Sequence, residues 1–403
     1  MNKYLTRTGE PIIPSLLYLD LYKLTMVNFY LNNFPNVQAR YELKVRSDFE
    51  FAPYIDEINN QLDMLCELKF TYDEITYMKT IKYFTPNFID QMRGFSLNRE
   101  YVHAYIDVNG KFQCYSEGPL VQASLFEIYV LAILQEIRSR EAMTDIDFEK
   151  GNKILSSNIK HVKTFIKYKP FKFIDFSCRR AVSVRWLQHV LSRLTTELSN
   201  RNFVGTSCVY YAKMFNIDVS GSMAHELLCV SQAMTNPQSS QEYVLGLWAD
   251  EYKGELGIAL SDTFGAKYFI KKVFHKGLAL QYTGVRHDSG DPIQFGEDII
   301  DMYHSYGIDP MHKTIVFSDG LTFEKAFKLC EHFNGRINVS FGIGTNLGNA
   351  VGVPALQIVM KMVEADGKPV IKISDSPGKG MCNNVAYQTY IQEHINKVVG
   401  NSV

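Results

Sequence analysis

The chain has 403 residues, of which 46% are hydrophobic and 21% charged, the composition of an ordered protein with apolar material for roughly two to three folding units. Its 42 basic and 43 acidic residues leave a net charge of -1, without the basic excess that non-specific nucleic-acid binding requires. A polyanionic ligand must therefore meet a local cluster of charge.

The opening MNKYLTRTGEPIIP has no apolar h-region and no small-residue cleavage pattern, so no signal peptide is expected and a cytoplasmic location is. Residues 19–33 predict a helix, 37–46 alternate as a strand, and 50–95 read as helical. YVHAYIDVNGKFQCY predicts a hairpin about Asn109-Gly110. Helical patterns follow near 122–145 and 147–168. The longest apolar stretch, Leu125 to Leu134, is interrupted by Glu127 and falls short of a membrane span. Seven scattered cysteines without a C-x-x-C pair fit reduced, buried thiols, so no disulfide and no protein metal centre is expected.

From residue 171 the rhythm changes to short apolar runs separated by helical segments: FKFIDF, FVGTS, LGIALSD, GVRHDSGD, KTIVFSDG and VSFGIGT. That alternation predicts parallel strands joined by helices. The runs end at Asp175, Ser207, Asp262, Asp288, Asp319 and Gly344, and in a barrel of parallel strands such ends converge on one face. Aspartate also caps helices and loops, so isolated caps are the alternative. A final hairpin is expected about Asp366-Gly367 within LQIVMKMVEADGKPVIKISDSPGK.

Several segments have residue types suited to chemistry, each with a bland alternative. Gly342-Ile343-Gly344-Thr345 could let backbone N–H groups approach a phosphate or could simply turn tightly. Arg286 and Asp288 in GVRHDSGD could hold an anion and a sugar or magnesium shell, or could pair with each other. His225 in GSMAHE could react or merely pack. Phe176 offers a flat surface beside Arg179 and Arg180, or a place in the core.

Taken in order, SLLYLDLYKLTM, FIDFSCRR, FVGTS, GSMAHE, ELGIALSD, GVRHDSGDP, TIVFSD, FGIGT and VMKMVEADGKPVIKISDSPGK resemble the nicotinate phosphoribosyltransferase family over nearly the whole chain. The resemblance implies an α/β fold: an N-terminal α+β domain, 1–145, to which 357–403 returns, and an irregular β/α barrel, 146–356. It implies transfer of phosphoribose from phosphoribosyl pyrophosphate to nicotinate at the entry to NAD synthesis, coupled to ATP hydrolysis as in a ligase. Magnesium would arrive with phosphoribosyl pyrophosphate and ATP. A homodimer with shared active sites is also implied.

Position by position, Phe176 and Tyr22 correspond to the aromatic faces around the pyridine ring, with Tyr22 coming from the neighbouring chain. Arg286 would contact the nicotinate carboxylate. Arg179, Arg46, Gly344 and Thr345 would bind phosphate groups, while Asp262, Asp288 and Asp319 would hold ribose and magnesium-bound pyrophosphate. His225 matches the phosphorylated histidine. Ser207 stands where the related nicotinamide-using enzymes have an aspartate, and a small neutral donor there favours a carboxylate substrate. Three residues depart from the family pattern: Ser177 for glycine, Leu19 for threonine and Cys208 for asparagine. Ser177 raises the question whether the backbone after Phe176 needs a glycine conformation.

Overall fold

The computed structural model describes residues 2–376, 380 and 382–400. The end of the ISDSPGK segment, residues 377–379, lies outside them. The strands in chain order are β1 (Gln38–Val45), β2 (Val102–Ile106), β3 (Phe112–Pro119), β4 (Phe173–Asp175), β5 (Phe203–Thr206), β6 (Asp218–Val219), β7 (Ile258–Leu260), β8 (Gly284–His287), β9 (Thr314–Phe317), β10 (Asn338–Ile343), β11 (Ile358–Ala365) and β12 (Lys368–Pro369).

They form two sheets. One is antiparallel, in the order β12-β11-β1-β3-β2, and the other has seven parallel strands in the order β6-β5-β4-β10-β9-β8-β7. In the second, neighbours follow one another along the chain except where β10 pairs with β4 and closes the curl. The edges β6 and β7 leave it open. The Ser222 hydroxyl spans that gap by donating to the Ile258 carbonyl at 3.0 Å. This is the expected irregular β/α barrel, an open one. Its strands are short and apolar because both faces are covered by protein: Phe317 stacks on Phe341 and Phe333, and Phe171 on Phe341. Each such ring, fully buried, contributes about 1.5–3 kcal/mol.

The antiparallel sheet joins distant segments. Strand β11 lies beside β1, with Ala365 opposite Ala39. The β11–β12 turn has positive φ at Asp366 and Gly367, 47° and 69°, the mirror-type turn that an Asp-Gly pair favours. The β2–β3 hairpin differs: only Gly110 has positive φ, and Asp107 ties the loop by accepting from the Asn109 and Lys111 amides. Residues 50–95 break into helices Ile55–Glu67, Tyr72–Met78 and Pro86–Arg93, the last two starting on Thr71 and Thr85 caps. The last helix, Val385–Val399, packs on the barrel segment 266–273, where Tyr268 meets His394 at 2.9 Å.

One described helical stretch, Leu120–Ala142, corresponds to the helix expected near 122–145 and, unlike the shorter apolar run 125–134 within it, is long and apolar enough to cross a membrane by length and composition. Here it is a core helix. Its Glu136 is buried and accepts from the Thr6 amide, the Thr6 hydroxyl and the Val184 amide at 2.7, 2.6 and 3.2 Å.

Two features place the site. The N-terminal segment runs along the end of β5, where the Leu21 amide donates to the Ser207 carbonyl at 2.8 Å and the Val209 amide to the Leu19 carbonyl at 3.0 Å. The fully buried helix start that follows, within Leu21–Asn33, is thereby fixed at the C-terminal end of the parallel strands. On the far side, residues 372–375 strap across the ends of β7 and β8, with the Ile373 amide donating to Thr263 and the Asp375 amide to the Ser289 hydroxyl. Gly265 and Gly290 carry positive φ where this strap crosses, and a Cβ on either would meet Asp375 at 2.9 and 3.2 Å.

Candidate active site

Two clusters form at the C-terminal ends of the parallel strands, where the sequence reading expected convergence. The first is built on β7, β8 and the helix His225–Met234. His225 Nε2 lies 2.7 Å from Asp262 Oδ1, and His225 Nδ1 lies 3.8 Å from Asp288 Oδ2. Asp262 Oδ2 accepts from Ser289 at 2.5 Å and meets Lys372 Nζ at 3.1 Å. Asp288 Oδ1 accepts from the Ser318 hydroxyl at 2.9 Å and faces Arg286 at 3.9 Å. Arg286 in turn donates to the Met223 carbonyl at 3.3 Å, which ties GSMAHE to GVRHDSGD.

The charges in this cluster are tuned. Burial and the Lys372 ammonium hold the His225 imidazole below its ordinary pKa, despite Asp262 and Asp288. Burial pushes Asp262 up, but His225, Lys372 and Ser289 outweigh it and hold the carboxylate well below the usual range. Asp288 is brought to about 2: burial raises it, and Arg286, Lys372 and His225 lower it. A carboxylate only accepts hydrogen bonds. The neutral imidazole therefore gives its Nε2–H to Asp262 and keeps a lone pair on Nδ1.

His225, Asp262 and Asp288 each offer a ligand atom within 4.8 Å of the others, a spacing that could hold a metal ion. Lys372 already approaches both carboxylates, at 3.1 and 3.9 Å. Asp319 follows β9, and its charge bears on the buried His287.

The second cluster sits where β4, β5 and β10 end. The Phe176 amide donates to the Ile343 carbonyl at 3.0 Å, and its ring lies against Gly342, where a Cβ would come within 2.3 Å of ring carbons. Gly344 backs onto the Phe176 carbonyl, 2.9 Å from where its Cβ would be, and Thr345 opens the short turn that follows. Arg179 bonds to the Tyr22 hydroxyl and faces Glu127 at 3.5 Å and Asp20 at 3.9 Å. The resemblance places Tyr22 in a neighbouring chain's pocket; in this single chain it bonds the chain's own Arg179. Asp288 links the clusters, since its charge is felt by Arg179 and Arg180.

Other expected residues fall differently. Ser207 is buried and donates its hydroxyl to Asp20 at 2.5 Å, so its proton is committed within the protein. Asp175 is fully buried, accepting from Ser177 and from Thr206 at 2.6 Å, and burial pushes it up to about 6. It therefore joins strand ends instead of facing the clusters. Ser177 keeps ordinary negative φ and occupies the space left by Gly348, whose Cβ would stand 2.4 Å from that of Ser177. Arg46 is exposed just past β1, its amide donating to Gln357; its charge bears on Lys361, which burial, Lys372 and Arg46 bring down to about 8.

No local sequence pattern marks Lys372, Ser289, Ser318, Asp20 or Glu127 as site residues. Lys372, Asp20, Ser289 and Ser318 each stand within or beside a quoted segment, but nothing local shows which partner they meet across the fold.

The family model "Nicotinate phosphoribosyltransferase (NAPRTase) family" matches residues 171–398, and its N-terminal domain matches 17–135. The nicotinate phosphoribosyltransferase of Acinetobacter baylyi is 40% identical over 394 residues, covering 95% of this chain and 96% of that one. That of Xylella fastidiosa is 40% identical over 389 residues, covering 95% and 98%. The crystal structure of the Vibrio cholerae nicotinate phosphoribosyltransferase superposes with a TM-score of 0.93 at 34% identity, covering 98% of this chain and 96% of that one. The Porphyromonas gingivalis structure gives 0.90 at 29%, covering 96% and 100%.

Proposed function

Since the chain belongs to the nicotinate phosphoribosyltransferase family and is an enzyme of that kind in NAD biosynthesis, we propose that its reaction is coupled to ATP through phosphorylation of His225 at Nδ1. The observation that carries this is the 2.7 Å contact of His225 Nε2 with the ionised Asp262. It directs the imidazole's lone pair to Nδ1, and the lowered pKa keeps the ring neutral and nucleophilic near neutral pH. Nδ1 attacks the γ-phosphorus as the bond to ADP breaks. The positive charge then left on the ring is met by Asp262 at Nε2.

In the transfer, the pyridine nitrogen attacks ribose C1 while the C–O bond to pyrophosphate breaks and its electron pair leaves with pyrophosphate. Positive charge grows on the sugar. Asp288 and Asp319 would stabilise it and hold the ribose. Phe176 and Tyr22 would flank the pyridine ring, Arg286 its carboxylate, and Arg179, Arg46, Gly344 and Thr345 the phosphates. Among the described residues the buried Arg286 Nε has no hydrogen-bond partner, which suits an incoming anion.

Magnesium carried in with the substrates would neutralise pyrophosphate charge. Asp288, partly exposed, suits it better than Asp262, which His225, Ser289 and Lys372 enclose. Asp20 beside Ser207 shifts the basis of base selection: the Ser207 hydroxyl is held by Asp20 at 2.5 Å, so a preference for nicotinate would rest on the absence of a second carboxylate at position 207 rather than on a free serine donor. We further propose the division into 1–145 with 357–403 and a barrel of 146–356, supported by β11 joining β1 though the final helix packs on the barrel. A homodimer and a cytoplasmic location complete the proposal.

The test is incubation with nicotinate, phosphoribosyl pyrophosphate, magnesium and ATP, with mass analysis of product and protein. Nicotinate mononucleotide together with an acid-labile phosphate on His225 is expected. Product without any ATP consumption would remove the coupling.

A further inference from the structure

Behind the site lies a buried ammonium to which phosphoryl and phosphoribosyl transfer assign no part. Lys23, the residue after Tyr22, is fully buried, with Nζ 2.8 Å from Glu127 Oε2 and 2.5 Å from Glu226 Oε2. Each carboxylate has a second tie to the site. Glu127 Oε1 faces Arg179 at 3.5 Å. Glu226 is the residue after His225 and sits in the first turn of the same helix.

Among the described residues Lys23 is the one cation in ion-pair contact with Glu226, whose other partners are the hydroxyls of Tyr41 and Tyr30 at 3.1 and 3.4 Å. Burial raises the Glu226 pKa and Lys23 opposes the rise. A buried ion pair stabilises a fold no better than apolar residues of similar shape. Its placement at this junction therefore points to geometry. By drawing on Glu127, Lys23 also keeps that carboxylate from closing on Arg179 in a two-bonded pair, which would occupy the fork needed for a substrate anion.

We propose that Lys23 is a positioning residue: a single ammonium sets the reach of Arg179 through Glu127 and the presentation of His225 through Glu226. This rests on the roles given above to Arg179 and His225. It makes substrate affinity and ATP coupling depend on one buried group that touches neither substrate.

The test compares Lys23→Met with Lys23→Met/Glu226→Gln, measuring melting temperature, KM for phosphoribosyl pyrophosphate and ATP hydrolysed per product. The single variant is expected to melt lower, raise KM by about tenfold or more, and raise the ATP ratio, as small displacements of reacting groups do. The double variant removes the charge imbalance, so its melting temperature should recover while KM and the ATP ratio stay altered. Recovery of all three to wild-type values would overturn the proposal, leaving Lys23 a mere counter-charge.

Should neither variant fold, Glu127→Gln is expected to raise KM with the ATP ratio unchanged, and Glu226→Gln the reverse; wild-type values of both parameters in both variants would equally overturn it. Wild-type enzyme that couples no ATP to product would defeat the phosphohistidine reading instead, and the KM arm would still judge Lys23.

Discussion

The ring of Phe176 rests on Gly342, where a Cβ would stand 2.3 Å from two ring carbons. The aromatic face is thus set by an absent side chain on the neighbouring strand β10. Gly342→Ala must push the ring outward or strain the strand, at a cost of about 1–3 kcal/mol. The KM for nicotinate is expected to rise about tenfold, with a smaller change for phosphoribosyl pyrophosphate. Steady-state kinetics with each substrate varied checks this, and equal rises would argue against stacking.

Ser177 and Gly348 form a second such pair, with 2.4 Å between the Ser177 Cβ and a Cβ built on Gly348. Gly348→Ala should destabilise this chain by about 1–3 kcal/mol through overpacking. Added to Ser177→Gly, the same alanine should cost much less. Thermal or denaturant unfolding of the two single variants and the double gives the coupling; strictly additive losses would contradict it.

Ser207 donates to Asp20 at 2.5 Å, so Ser207→Asp would place two carboxylates together. Like charges in such a site cost several kcal/mol, and kcat/KM for nicotinate is expected to fall by about a hundredfold or more. Assays with nicotinate and nicotinamide at equal phosphoribosyl pyrophosphate measure the change. An unchanged preference and rate would show that neither residue faces the base.

The His225 pKa is lowered by burial and by Lys372. ATP-dependent rate should therefore persist below pH 6.5, the ordinary histidine value, and fall only where the imidazole protonates. Lys372→Met should move that acidic limb to higher pH. For stability the sign is also fixed: the folded ring resists a proton that the unfolded ring accepts, so His225 weakens the fold as pH drops from about 6.5 to its lowered value. Asp288 acts lower, its contribution being present above the unfolded 3.8 and lost as pH falls through about 2. A pH profile of Lys372→Met identical to wild type would contradict the electrostatic assignment.

Much of this was legible in the sequence because strand ends in a parallel barrel are read by position alone. Asp262, Asp288, Phe176 and Gly344 lie at the expected end of their strands. What local pattern could not show is which carboxylate meets which partner. Asp175 ends a strand like the others, yet Ser177 and Thr206 consume both of its oxygens. Lys372 sits in an alternating hairpin that reads as half solvated, and only the crossing of residues 372–375 over β7 and β8 brings it to Asp262. The concern over Ser177 also needed the fold, since the space it fills was vacated by Gly348, far along the chain.

The most direct measurement is the position of the phosphoryl group after incubation with ATP and magnesium, read by phosphorus and nitrogen NMR of the intact enzyme with Asp262→Asn as comparison. Phosphate on Nδ1 of His225, sharply reduced in Asp262→Asn, is the expected result. Phosphate on Nε2, or undiminished labelling in Asp262→Asn, would contradict the role given to the 2.7 Å His225–Asp262 contact.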